Sequence, residues 1–287
     1  MTRLSSMVLA LLFLALSPTA ALAGPCEDAG DGMPTGPVVA GLLDGDLGAP
    51  HRACGRNEVA LDAGALLLVD APNFYGRLSA GGTLDASAML TDRLELLVQF
   101  EFLRFENVIT PIPATALGVG HLNLGLSGQI YRSDRWVLAV NGKTVLPTAS
   151  GIYHHAWPVG LDLGLAAQTV VARGVAFHGQ AGFLGSAAIS KGAAGPRMGG
   201  ALTVGTELRP GKAFAFVLDL QGSFGYRGPL DALALAFALR FSDGKRFGFE
   251  LGGILPFAGA ERATVAVDFR ASIRWGEFTP HPGRPKP

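Results

Sequence analysis

The chain has 287 residues with 23 basic and 23 acidic side chains, so no charge excess marks it for nucleic acid or for anionic lipid heads. Hydrophobic residues make up 49% of it, yet beyond residue 23 no unbroken apolar run approaches the roughly 18 residues of a membrane-crossing helix. Its 40 glycines disfavour helices and no 3.6-residue apolar period persists after residue 23, which leaves an all-β chain.

Residues 1–23 read as a cleavable export signal. Arg3 supplies the positive start, Met7 to Leu16 the apolar core, and Ala21-Leu22-Ala23 a small-x-small cleavage site before Gly24. The run is too short and wrongly flanked for a membrane span, and Pro25 before Cys26 argues against lipid attachment. Removing Arg3 with the signal leaves 22 basic against 23 acidic residues.

Cys26 and Cys54 are the two cysteines, and they flank a loop-like stretch rich in Gly, Pro and Asp. Outside the cytoplasm two lone cysteines most simply form a disulfide. Two thiols with no neighbouring His pattern are a poor ligand set, so no metal and no other cofactor is expected. The segment 24–57 then either caps one end of the fold or enters it.

From Glu58 the chain divides into about twelve strand-sized pieces in which every second residue is apolar. Glu58–Val69 alternates Val59, Leu61, Ala63, Ala65 and Leu67 against Glu58, Asp62 and Gly64. Tyr75–Leu90 sets Leu78, Leu84 and Ala86 against Arg77, Ser79, Thr83, Asp85 and Ser87. Arg93–Phe105 sets Leu94, Leu96, Val98, Phe100 and Phe102 against Glu95, Gln99 and Glu101. Gly120–Tyr131 has Leu122, Leu124, Leu126 and Ile130 opposite His121, Asn123, Ser127, Gln129 and Tyr131. Trp136–Leu146, Val159–Val171, Val175–Leu184 and Met198–Leu208 repeat the pattern, with Asn141, Lys143, Asp162, Gln168, His178, Gln180, Thr203 and Glu207 on the polar face.

The alternation is cleanest between Lys212 and Trp275. Phe214, Phe216, Leu218 and Leu220 oppose Ala215, Val217, Asp219 and Gln221. Leu233, Leu235, Phe237, Leu239 and Phe241 oppose four alanines and Arg240. Phe247, Phe249 and Leu251 oppose Gly248, Glu250 and Gly252. Val265, Val267, Phe269, Ile273 and Trp275 oppose Asp268, Arg270, Ser272 and Arg274. These runs match or exceed the roughly 9–11 residues that a tilted strand needs to cross a bilayer.

Tight polar turns at Thr91–Arg93, Ser133–Arg135, Arg173-Gly174, Arg209–Lys212 and Ser242–Lys245 alternate with mostly longer connections at Asn107–Leu117, Pro147–Pro158, Ser190–Arg197, Arg227–Asp231 and Ala258–Arg262. Trp136, Phe214, Phe247 and Trp275 lie near the short-turn ends, and Tyr226, Phe257 and Trp157 near the long-loop ends. Short periplasmic turns, longer extracellular loops and two aromatic girdles characterise transmembrane barrels.

With these features the chain resembles the Gram-negative outer-membrane β-barrels of transporter or channel type, over nearly all of Glu58–Trp275. The resemblance implies an antiparallel transmembrane β-barrel over residues 58–278, both ends of the chain in the periplasm, outer-membrane lipid around it and a small solute inside it. Residues 24–57 become a periplasmic segment or plug. Residues 279–287 form a Pro-rich tail after Trp275 and Phe278, a departure from barrels of this class, which usually end on an aromatic residue.

No catalytic residue is expected. An outer-membrane phospholipase needs a His and a Ser together on the outer face near the rim, whereas His121 and His178 share parity with the interior. Tyr153-His154-His155 reads as an exposed polar loop, and no nucleophile elbow or phosphate loop occurs. The interior candidates are Glu95, Glu101, His121, Lys143, Asp162, His178, Glu207, Asp219, Arg240, Glu250, Asp268, Arg270 and Arg274. Charges of both signs in a narrow barrel either pair with one another or form a selective constriction. The functional expectation is a narrow channel or transporter for small solutes. The rivals are a sealed structural or assembly barrel, and a secreted lipid-binding β-barrel; Ala and Gly on the polar face would make an odd solvent surface for the latter.

Overall fold

The computed structural model describes residues 52–70, 75–110, 114–148, 150–151, 158–188, 196–211, 213–225, 229–242, 246–259 and 263–274. The signal segment, most of 24–57, the tail after 274, Trp157, Tyr226 and Trp275 fall outside them. All regular structure among them is β, and no helix occurs.

The strands are β1 (Glu58–Asp70), β2 (Tyr75–Met89), β3 (Leu94–Thr110), β4 (Ala114–Val119), β5 (Leu122–Arg132), β6 (Trp136–Leu146), β7 (Ser150–Gly151), β8 (Pro158–Ala172), β9 (Val175–Ala188), β10 (Arg197–Leu208), β11 (Phe214–Phe224), β12 (Ala232–Ser242), β13 (Phe247–Ala258) and β14 (Ala263–Arg274). All pairings are antiparallel, and β14 pairs β1 from Arg274↔Glu58 upward, which closes the sheet. The circuit β1-β2-β3-β5-β6-β8-β9-β10-β11-β12-β13-β14 is a barrel of twelve strands. Closure removes the free edges that an open sheet would present.

The two remaining strands lengthen the wall at the long-loop end. Phe100 pairs with Leu122 of β5, and Arg104 with Gly118 of β4, at an unchanged register, so β4 and β5 are one strand interrupted at Gly120-His121. A side chain at Gly120 would collide with the Glu101 carboxylate, which is why the interruption falls on a glycine. The expected connection Asn107–Leu117 is therefore mostly strand. β3 continues to Thr110 and Ala114–Val119 returns along it. Phe105, Val108 and Ile109 prolong a β-forming run whose ladder to β2 holds as far as Gly76↔Thr110.

Burial alternates with period two. On β12 the four alanines 232, 234, 236 and 238 are fully buried while Leu235, Phe237 and Phe241 are exposed. Leu218, Leu220, Phe249, Leu251, Val267 and Phe269 extend this apolar outer belt across neighbouring strands. One face assignment changes. A bulge between Gln129 and Tyr131 inserts Ile130, so Tyr131 pairs with outward-facing Leu138 and is itself 51% exposed, not interior.

Candidate functional site

The interior is built by the second face of every strand. Glu95, Glu101, His121, Lys143, Asp162, His178, Glu207, Asp219, Glu250 and Arg270 are all buried there, and Arg240 is half-buried beside them. The side chains of Asp268 and Arg274 lie outside the described set.

Register arranges part of this set as a row. Across β12, β13, β14 and β1, Arg240 pairs Glu250, Glu250 pairs Arg270, and Arg270 pairs Asp62. Signs alternate along that line, so the two inner charges, Glu250 and Arg270, each have opposite neighbours on both sides. Arg240 donates from Nε to Glu250 Oε2 at 2.5 Å and from Nη1 to Glu207 Oε2 at 3.1 Å. Arg209, at the short turn, pairs with the other oxygen of Glu207.

Arg270 is the hub of the seam between the first and last strands. Its Nη1 donates to Asp62 Oδ2 at 2.7 Å and Asp85 Oδ2 at 2.9 Å, and its Nη2 to Glu58 Oε1 at 2.7 Å. One planar guanidinium thus ties β14 to β1 and β2, a geometry suited to its forked donors.

A short strap crosses the interior ahead of β1. In Arg52–Asn57 the residues Arg52, Ala53, Cys54 and Arg56 are buried. The Arg56 amide donates to Glu95 Oε1 at 3.2 Å, Ser87 Oγ donates to Arg56 O at 2.8 Å, and Gln129 Nε2 donates to Ala53 O at 3.3 Å. Arg52 lies 3.9 Å from Glu58 and 3.7 Å from Glu95, and Arg56 pairs with Glu58. Ala53 and Cys54 pack on Val137 and Ala166 of β6 and β8, and Cys54 Sγ is 3.5 Å from Gln168 Oε1. The strap therefore spans from the β1–β3 wall to the β6–β8 wall. Cys26, the expected partner of Cys54, is outside the described residues.

The opposite wall adds buried side-chain amides to its charged groups. Asn123, Gln129, Asn141, Gln168, Gln180 and Gln221 are buried on β5, β6, β8, β9 and β11. Asn123 Nδ2 donates to Gln99 Oε1 at 3.0 Å and Gln180 Nε2 to Thr203 Oγ1 at 3.4 Å. His178 and Asp219 join between these amides at 2.7 Å. Lys143 and Asp162 face one another as register partners on β6 and β8. His121 Nδ1 lies 3.1 Å from Leu146 O. No group of three or more His, Cys, Asp or Glu that could hold a metal occurs among the described residues.

Parity in the sequence places Glu58, Asp62 and Asp85 inward without singling them out, and it misses Arg52 and Arg56 altogether. The available signal was the pair of arginines in Arg52-Ala53-Cys54-Gly55-Arg56 immediately before a strand that opens on Glu58.

No family model matches the chain, and no curated protein matches it either. Solved structures do. An outer-membrane channel from Pseudomonas putida F1 is 13% identical, with a TM-score of 0.61 over 77% of this chain and 96% of its own. The NanC porin is 10% identical with a TM-score of 0.51, covering 76% of this chain and 100% of its own. The β domain of the Bordetella autotransporter BrkA is 12% identical with a TM-score of 0.51, over 77% and 99%. At such identities the likeness is one of fold.

Proposed function

We propose that this protein is an outer-membrane β-barrel that passes small solutes through a narrow, partly obstructed lumen. The observation that carries the reading is a closed wall with an apolar belt outside and buried groups of both charges inside. Such a surface suits lipid on one side and a polar path on the other. Both a channel and a porin are among the solved structures that share the fold. Export through a cleaved signal over residues 1–23 belongs to the same proposal. So does the outer-membrane address, with lipid as the barrel's surroundings and the strap as part of a plug formed by residues 24–57.

A sealed barrel is the competing reading, since the strap and the paired arginines fill part of the lumen. Single-channel recording in a planar bilayer separates the two. The full chain should give small, discrete conductance steps, and a variant lacking Gly24–Asn57 should give larger ones. Silence from both would defeat the channel reading in favour of a sealed barrel.

A further inference from the structure

We propose that a cavity at the short-turn end of the lumen is a binding site for a small oxyanion, a carboxylate or phosphate solute. The proposal rests on the channel reading and adds the class of solute. The cavity opens between the inner faces of β11 to β14 and the strap. Among the described residues its charged lining is Arg56, Arg209, Arg240 and Arg270 against one acid, Glu250.

Glu250, which pairs with Arg240, lines the cavity, but the other acids that neutralise these arginines do not line it among the described residues. Glu58, Asp62 and Asp85 grip Arg270 from the β1–β2 side, and Glu207 grips Arg209 and Arg240 from β10. A solute in the cavity therefore meets four guanidiniums and one carboxylate, with the remaining acids behind them. At contact distance the nearer charge dominates, even where the cluster as a whole is close to neutral. The ion pairs also fix the arginines in place, so little side-chain freedom remains to be lost on binding.

Beside Phe214, Phe241 and Phe249, the rest of the lining is small. Ala213, Ala215, Ser242, Gly248 and Ser272 present small side chains or none. Arg209, with 24% of its side chain exposed, is the most accessible of the four guanidiniums. Planar, forked donors of this kind match carboxylate and phosphate oxygens. A neutral molecule of equal size gains nothing comparable. Arg56 comes from the strap, so the site is complete only while the strap lies in the lumen.

Calorimetry on the folded, detergent-solubilised full chain at low salt tests this, with succinate, inorganic phosphate and uncharged succinamide as probes. Saturable binding of succinate or phosphate, or of both, is expected, and whichever binds identifies the oxyanion source. Succinamide should give no saturable heat. Arg240→Gln strands two buried carboxylates and risks unfolding the barrel, so Arg209→Gln carries the test. It should weaken binding by about tenfold, the loss of one charge-assisted contact. Absence of binding by both anions, equal binding of succinamide, or an unchanged affinity in Arg209→Gln overturns the site. Because calorimetry needs no current, the two readings fail separately. A conducting chain that binds neither anion loses this site alone, and a silent chain that binds succinate loses the channel.

Discussion

His178 of β9 and Asp219 of β11 meet at 2.7 Å, Nε2 to Oδ1, directly over Gly205 of the strand between them. Gly205 is the register partner of both residues, and a Cβ there would intrude on both polar atoms. The glycine is thus what lets strands two apart in the sheet exchange a buried contact. Gly205→Ala should destabilise the barrel by about 1–3 kcal/mol through overpacking. Gly211→Ala, where nothing lies within 4 Å, should sit near zero. Urea unfolding in detergent micelles compares them, and equal stability of the two variants would refute the role given to Gly205.

Phe237 lies mid-strand on the outer belt, 39% exposed, with its ring over Gly253 of β13. Replacing it with Arg puts a charge near the bilayer midplane, at a cost of about 2–4 kcal/mol. Val267→Arg on β14 should behave alike. Folding titrations into lipid vesicles give the measurement. A Phe237→Arg chain as stable as the parent would mean that the belt does not face lipid.

Arg270 should be the most sensitive interior position. Arg270→Met leaves Glu58, Asp62 and Asp85 gathered at the seam without their shared guanidinium. Removing one partner from buried pairs costs about 3–5 kcal/mol. Arg270→Lys should recover only part of this, because a single ammonium cannot reproduce the fork across three carboxylates. The check is the unfolding midpoint in urea, parent against both variants. A Lys variant as stable as the parent would show that charge alone, without the fork, holds the seam.

Strand parity made most of this architecture readable in advance, because one residue of slip exchanges lipid face for lumen face along a whole strand. What parity does not carry is the partner. His178 and Asp219 are 41 residues apart, and only the register through Gly205 brings them together. Tyr131 departs from parity for the complementary reason, since a bulge shifts the alternation by one residue without altering composition. The strap was illegible because Arg52–Asn57 has no period at all. Its place is set by Glu58, Ser87, Glu95 and Gln129, which come from four different strands.

The cysteines give a prediction that burial alone does not settle, since Cys54 is fully buried whatever its bonding. Maleimide labelling should therefore be done in urea without reductant. If Cys26 and Cys54 are joined, neither reacts until reductant is added. Labelling of both thiols in the unreduced, unfolded chain would exclude the bond. Closing such a loop is worth about 3 kcal/mol to the segment it restrains. The barrel's own unfolding midpoint should barely move on reduction, because its wall is held by the strand ladders.

Ion preference offers the most direct view of the lumen, and the structure decides which charges can report it. Reversing Arg240 would press three acids together with Glu207 and Glu250, so a change there would mix selectivity with unfolding. Lys143 on β6 and Glu101 on β3 are the better reporters. They are buried interior groups of opposite sign, and neither belongs to the seam cluster around Arg270. Charges in a confined path are screened less than at a free surface. Lys143→Gln should move the reversal potential in a salt gradient towards cations, and Glu101→Gln towards anions. Each should change the permeability ratio by roughly a factor of two, about 0.4 kcal/mol of barrier. Leu239→Ala, on the apolar face of β12, should leave the ratio alone. Shifts of the same sign from both charge variants would show that the ions do not travel past these side chains.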